Sequence, residues 1–458
     1  MSPSPARAAV QGHGLTRRGF LTTVPLAVAG AGLLGGCSTT PTSTGGASAA
    51  GGASGGGGSL RYWSMWKEGE PQQKVLDAAI GAFTTSTGIT VDVQWQGRDV
   101  LKKLLPTLTG NDVPDLVDQE AGPVQSSLVS LQQARDLTDA YAEPIPGEDG
   151  ATVGSVIPER YRSLTTSGQT QFMVPYELIS SAFWFDGNRL PEVVTAPPTD
   201  WASFSSLLAR RKAAGEAPLA VDGDIAFYNS YYTAYGLLRV LGVGGVNKLV
   251  ADKTGVLWDD PRVRDVGTKI EALVKEGYFV KGYDSSKYPA IEQRWATGAA
   301  DFYYAGTWTP SETSSYQAKG FVVDSFQFPS LGGPGDGSVE TGMLGFAVPT
   351  KAKNYDAAKK FMAFVLAKKN LEGIATIAAN LTPRDDIAAP KELESVQQAL
   401  ASAPSVHRPY DGIDADFANY TPSVFEPVNT KLLFGQIDAQ TWVSTLKADT
   451  IRYWKQNG

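Results

Sequence analysis

Two residue types are nearly absent from this chain of 458 residues: cysteine occurs once, at Cys37, and histidine twice, at His13 and His407. One cysteine cannot form an intramolecular disulfide, a Cys-ligated zinc site or an iron–sulfur centre, and two histidines cannot build a multi-histidine metal site. A Ser-His-Asp arrangement would have to use His407, which beside Arg408-Pro409-Tyr410 reads as a surface or capping residue. No metal or other cofactor is expected. Positive charge is also short, with 40 Lys and Arg against 47 Asp and Glu for a net charge of −7, so nucleic acid is not an expected partner. Long apolar runs are missing as well. The segment from Phe20 to Leu34 is about 15 residues and rich in Gly and Ala, where a stable membrane-spanning helix needs roughly 20 strongly apolar ones. Aromatics, by contrast, are plentiful: ten Trp and eighteen Tyr.

That short apolar run follows Thr16-Arg17-Arg18-Gly19-Phe20-Leu21, which resembles a twin-arginine export signal, and ends in Leu34-Gly35-Gly36-Cys37, which resembles a lipobox. Residues 1–36 therefore read as a removed export signal. Cys37 reads as the lipid-bearing residue that anchors an exported bacterial protein to the outer face of the cytoplasmic membrane. The rest of 37–59 is almost entirely Ser, Thr, Gly, Ala and Pro, too poor in apolar surface to fold, and reads as a flexible tether with a reach on the order of 25 Å.

The remainder is long enough for two cores. Leu60–Trp63 reads as a strand, and Val75, Leu76, Ala79, Ile80 and Phe83 fall on one helical face closed by Gly88. Ile89, Val91, Val93 and Trp95 alternate as a second strand; a helix with Leu101, Leu104, Leu105 and Leu108 and a strand over Pro114–Asp118 follow. This alternation implies a mostly parallel sheet with helices on both faces, whose ligands bind beyond the carboxyl ends of the strands, here near Trp63–Trp66 and Asp118–Glu120. The region around Tyr228, Tyr231, Tyr232 and Tyr235, which share one helical face, reads as a second, more helical lobe. Gly242-Val243-Gly244-Gly245 lacks a preceding strand and reads as a turn. Asp222-Gly223-Asp224 begins like a calcium loop, but Ala226 and Tyr228 occupy the next ligand positions.

Several passages then agree with one family in order along the chain: Trp63 followed by Glu70-Pro71-Gln72, Val113-Pro114-Asp115-Leu116-Val117, Val174-Pro175-Tyr176-Glu177 with Trp184-Phe185-Asp186, Gly306-Thr307-Trp308, and Gly345-Phe346-Ala347-Val348-Pro349. On these the chain resembles the family 1 extracellular solute-binding proteins, the sugar-capturing components of ABC importers. The resemblance departs at Phe302-Tyr303-Tyr304, where the family commonly carries Met and smaller residues. It implies a two-lobed α/β fold of the periplasmic-binding-protein kind, each lobe a mostly parallel sheet flanked by helices, with the ligand in the cleft between them. The implied lobes are residues 60–184 with 306–344, and residues 185–305 with 345–458, with crossings near Phe183–Asp186, Tyr303–Thr307 and Gly345–Thr350. The implied partners are a sugar, the permease subunits of an importer and, through Cys37, the membrane; the implied state is a monomer without enzymatic activity.

A pyranose offers an apolar C–H face for aromatic stacking and an equator of hydroxyls for carboxylates, amides and guanidinium groups. On that chemistry the candidate ligand-binding residues are Trp63, Trp66, Glu70 and Gln72 after the first strand, Asp118, Gln119 and Glu120 at the end of the third, Tyr176 and Glu177 before the first crossing, and Tyr228 and Trp258. Trp308, which matches a stacking tryptophan of the family, joins them with Glu312, Met343 and Arg384. Aromatics and acids in a cleft also fit a secreted glycoside hydrolase, and the same scaffold could hold a polyamine or a glycerol-phosphate instead of a sugar.

Overall fold

Leu60, Tyr62 and Ser64 turn inward from the first strand while the residues between them stay half-exposed, so the chain begins its sheet on a simple alternation. The computed structural model describes residues 58–458; the export signal, Cys37 and nearly all of the tether lie outside the described residues. In chain order the strands of the two main sheets and of the link between them are β1 (Ser59–Ser64), β2 (Thr90–Trp95), β3 (Leu116–Glu120), β4 (Val174–Ile179), β5 (Ser181–Asp186), β6 (Leu219–Ala220), β7 (Phe302–Gly306), β8 (Val323–Phe326), β9 (Val339–Glu340), β10 (Gly342–Ala347) and β11 (Val406–His407).

The first sheet has the order β2-β1-β3-β10-β4. β1 runs parallel to β2 and β3, while β10 runs antiparallel to both its neighbours, so β4 is parallel to β3. The second sheet has the order β8-β5-β7-β6, with β5 antiparallel to β8 and β7, and β6 parallel to β7. Each sheet is thus mostly parallel with one reversed strand. The helix Pro71–Thr87 follows from its sequence: Pro71 opens it, Val75, Leu76, Ala79, Ile80 and Phe83 are buried, and Gly88 ends it in the left-handed region at φ 72°. In the second lobe Tyr231, Tyr232 and Tyr235 are buried in the helix Ala226–Leu241, where they pack with Tyr304.

The sheets divide the chain differently from the expected lobes. The first crossing falls at Ser180, between β4 and β5, a few residues before Phe183–Asp186. β7 and β8 both belong to the second sheet, because Phe326 stacks on Phe183 at 5.2 Å and β8 pairs with β5, so no crossing occurs at Tyr303–Thr307. The second crossing is the β9–β10 link. β10 and the helices Tyr355–Leu366 and Lys368–Thr376 then pack with the first lobe, and the chain returns with the helix Glu394–Ser402, which lies on β8. Residues 306–338 therefore go with the second sheet and 342–376 with the first, the reverse of the expectation drawn from the resemblance. His407 is also corrected. It is buried in β11, its Nδ1 shares a 2.8 Å hydrogen bond with Ser338 Oγ, and burial, then Arg239, holds its imidazole down near a pKa of about 3.

Candidate ligand-binding cleft

The direct passage from β4 to β5 fixes which sheet edges meet. β1, β3 and β4 end, and β10 begins, at one edge of the first sheet: Ser64, Glu120, Ile179 and Gly342. Across Ser180 lie the start of β5 and the end of β7, followed by Trp308. The residues just beyond these strand ends form two walls.

On the first-lobe wall Asp118 is fully buried and accepts four hydrogen bonds: from Tyr62 OH at 2.7 Å, Ser64 Oγ at 3.2 Å, the Met65 amide at 2.6 Å and Tyr176 OH at 2.7 Å. Burial outweighs those donors, so its carboxyl is raised above the usual range. Trp66 Nε1 donates to Tyr176 OH at 2.8 Å, and the Arg98 guanidinium lies 4.4 Å from the centre of the Trp66 ring. Arg98 also forms a two-pronged pair with Glu70, at 3.0 and 3.1 Å, and Gln119 donates to its carbonyl at 3.1 Å. Gln72 at 3.0 Å and Asn380 at 2.5 Å donate to one oxygen of Glu177. The other oxygen is buried without a partner, and burial pushes Glu177 up to about 7 despite those amides.

The second-lobe wall is aromatic and acidic. Trp308, half-buried, donates its Nε1 hydrogen to Tyr228 OH at 3.0 Å, and the two rings stack with centroids 6.1 Å apart. Tyr288 meets Tyr228 edge-on at 6.4 Å and donates to Glu312 at 2.7 Å. Asp222 accepts from the amides of Ile291 and Glu292 and from Tyr303 OH. Glu292 is 2% exposed with one carboxyl oxygen unpartnered, and burial, then Glu312 and Asp222, raise it to about 8. Glu312 reaches solvent, yet enclosure in the cleft raises its carboxyl, against the pull of Tyr288 and of Arg98 on the opposite wall. The Arg98 charge is felt both by Glu177 of its own lobe and by Glu312 of the other, so the two groups of residues lie near each other. Between the lobes a cavity of about 60 Å³ is lined by Glu120, Phe227, Met343, Arg408 and Asp414. Enclosure and the neighbouring Asp414 raise Glu120, and burial raises Asp414 to about 6. A wider hollow of about 400 Å³ near Thr199, Phe326 and Ala399 contains none of these residues.

The structure thus gathers Trp66, Glu70, Gln72, Asp118, Gln119, Tyr176 and Glu177 on one wall, Tyr228, Trp308 and Glu312 on the other, and Glu120 and Met343 at the cavity. Asp118 and Tyr176 are spent on the buried network behind Trp66. Three expected residues do not join them. Trp63 is half-buried on β1, packed against the core with its Nε1 enclosed and unpartnered. Trp258 is fully buried beside the helices Pro261–Lys275 and Ala439–Asn457. Arg384 is held by Glu148, Asp386 and the Leu366 carbonyl, a clamp within the fold. Arg98 is missing from the expected set and Asp222 is weighed there only as a calcium ligand, although each follows a strand's carboxyl end, β2 and β6; the rule applied to β1 and β3 finds both. Tyr288, Glu292 and Asp414 carry no local signal. Among the described residues no group of Asp, Glu, His or Cys is arranged to hold a metal ion.

Comparison with known proteins gives the same picture. The family of bacterial extracellular solute-binding proteins matches residues 78–401. The diacetylchitobiose binding protein NgcE of Streptomyces coelicolor is 22% identical over 278 residues, 59% of this chain and 58% of that protein. The multiple sugar-binding protein of Streptococcus mutans is 19% identical over 267 residues, 55% of this chain and 63% of that one. The matched region spans about three fifths of the length of these relatives. The apo form of RafE from Streptococcus pneumoniae has the same fold, with a TM-score of 0.71 at 16% identity over 88% of this chain and 99% of that one.

Proposed function

Because the chain belongs to the bacterial extracellular solute-binding proteins, we propose that it captures a sugar outside the cell, in the cleft between its lobes, and hands it to the permease of an ABC importer. The observation that carries this reading is the stacked pair of Trp308 and Tyr228 in the same lobe as Glu312, within reach of the Arg98 charge from the first lobe. Aromatic faces suit the C–H face of a pyranose, and carboxylates and a guanidinium suit its hydroxyls. The sugar-binding relatives in Streptomyces and Streptococcus support the same ligand class. Binding is favoured over hydrolysis by the family match and by the sugar-binding relatives. Lipid attachment at Cys37 would keep the carrier beside its membrane partner, acting as a monomer.

The lobes part to admit the ligand and close on it, the hinge motion of two-lobed binding proteins. A thermal-shift screen against mono-, di- and oligosaccharides, polyamines and glycerol-phosphates tests the reading. A ligand at 100 times its dissociation constant stabilises by about 2.7 kcal/mol. A shift with one sugar class, the sugar recovered intact, is the expected result; sugar that returns cleaved would assign the cleft to hydrolysis, and a shift with phosphates alone would remove sugar as the cargo. Trp308→Ala should weaken the bound sugar by about 1–3 kcal/mol without unfolding the protein. Equal affinity in the variant would take Trp308 out of the cleft.

A further inference from the structure

The second-lobe wall carries more negative charge than a neutral sugar needs. Glu312 and Asp222 lie close enough to Glu292 that both raise its titration. The nearby cations are committed elsewhere: Arg98 pairs with Glu70, and the exposed Lys287 approaches Asp224 only at 3.9 Å. Asp222 has its acceptors filled by two amides and a tyrosine hydroxyl. Glu292 does not: it is 2% exposed and one of its oxygens has no donor at all. Near this unfilled acceptor stand Tyr228 and Tyr288, both of which feel the charge of Glu292, with Trp308 stacked on Tyr228; aromatic faces attract cations.

We propose that this corner receives a protonated amine, so that the captured sugar is an amino sugar bearing a free ammonium group. The inference rests on the reading of the cleft as a sugar site. A hydroxyl could fill the orphan oxygen of Glu292, but it would bring no positive charge to the two neighbouring carboxylates. An ammonium brings three donors and the missing charge together. An N-acetylated sugar brings neither charge nor a compact donor. The raised titration of Glu292 reports the same deficit, since the empty corner favours its neutral form.

Titration calorimetry of the protein with the free-amine disaccharide of glucosamine, diacetylchitobiose, cellobiose and spermidine decides the matter. The free-amine disaccharide is expected to bind about tenfold or more tightly than either neutral disaccharide, as one charge-assisted contact allows. Glu312→Gln, at an exposed side chain, should weaken the amine ligand about tenfold more than it weakens cellobiose, with the melting temperature confirming the fold. Equal or tighter binding of cellobiose or diacetylchitobiose overturns the amine corner and leaves sugar capture standing. Binding of spermidine with no disaccharide bound supports the corner and overturns the sugar reading. Silence with all four ligands overturns both.

Discussion

At the scale of single residues, Asp118 shows how a residue placed by rule near a ligand can be taken up by the fold. Three of its four donors converge on Oδ2 and the fourth takes Oδ1, and the whole group is buried with its neighbours Tyr62 and Tyr176, out of reach of a sugar. Asp118→Asn would set an amide donor among four donors and remove the charge that organises them. We expect a loss of about 3 kcal/mol of stability, read by chemical denaturation. A stability change below about 0.5 kcal/mol would show that the network is ornamental. The same residue explains what was legible. Trp66, Glu70, Gln72, Glu177, Trp308 and Glu312 could be read from strand ends and from the family resemblance. Trp258 and Arg384 were misplaced because partners that bury them are remote: Arg384 pairs with Asp386 two positions on, but Glu148, which completes the clamp, is 236 positions away.

At the scale of elements, periodicity located strands and helices well where one face is buried, as in Pro71–Thr87, and poorly where an element's place depends on a distant partner. β8 and β10 are short segments whose own sequences do not say which sheet they join; β8 is claimed by pairing with β5, and β10 by insertion between β3 and β4. The insertion is close. The β10–β4 register slips between Leu344 and Gly345, and a Cβ on Gly345 would lie 2.6 Å from the Val174 carbonyl and 2.7 Å from Pro175 Cα. Gly345→Ala therefore forces backbone apart in a central strand, and the cost should be about 1–3 kcal/mol with a lowered melting temperature. An unchanged melting temperature would mean that the strands can separate freely at this point. The glycine-rich segment 332–337 has a similar cause: Gly335 lies so close to the Leu238 carbonyl that a Cβ would meet it at 1.9 Å, and Arg239 donates to the carbonyls of Gly335 and Ser338.

At the scale of the whole molecule, the two crossings at Ser180 and β9–β10 are joined by a buried carboxyl. Ser181 Oγ, at the start of β5, donates to Glu340 in β9 at 2.5 Å, while the second oxygen of Glu340 is enclosed without a partner. Burial raises Glu340 from 4.5 to about 7, with only partial relief from Ser181 and Tyr235. Between those two values the folded protein binds more protons than the unfolded chain, so this group's contribution is complete below 4.5 and is lost as pH rises through 7. His407, in the strand paired with β9, works in the opposite sense. Its imidazole is lowered from 6.5 to about 3, so its contribution is present above 6.5 and is lost as pH falls through 3. Comparing Glu340→Gln with the parent cancels the histidine and isolates the carboxyl. The amide oxygen can still accept from Ser181 but never ionises. Above about pH 8 the variant should be the more stable protein, by as much as about 3 kcal/mol, and the gap should close as pH falls toward 4.5. Melting temperatures of both proteins across that range give the answer: a constant offset at every pH would show that Glu340 ionises without strain and that the link between the lobes is indifferent to its charge.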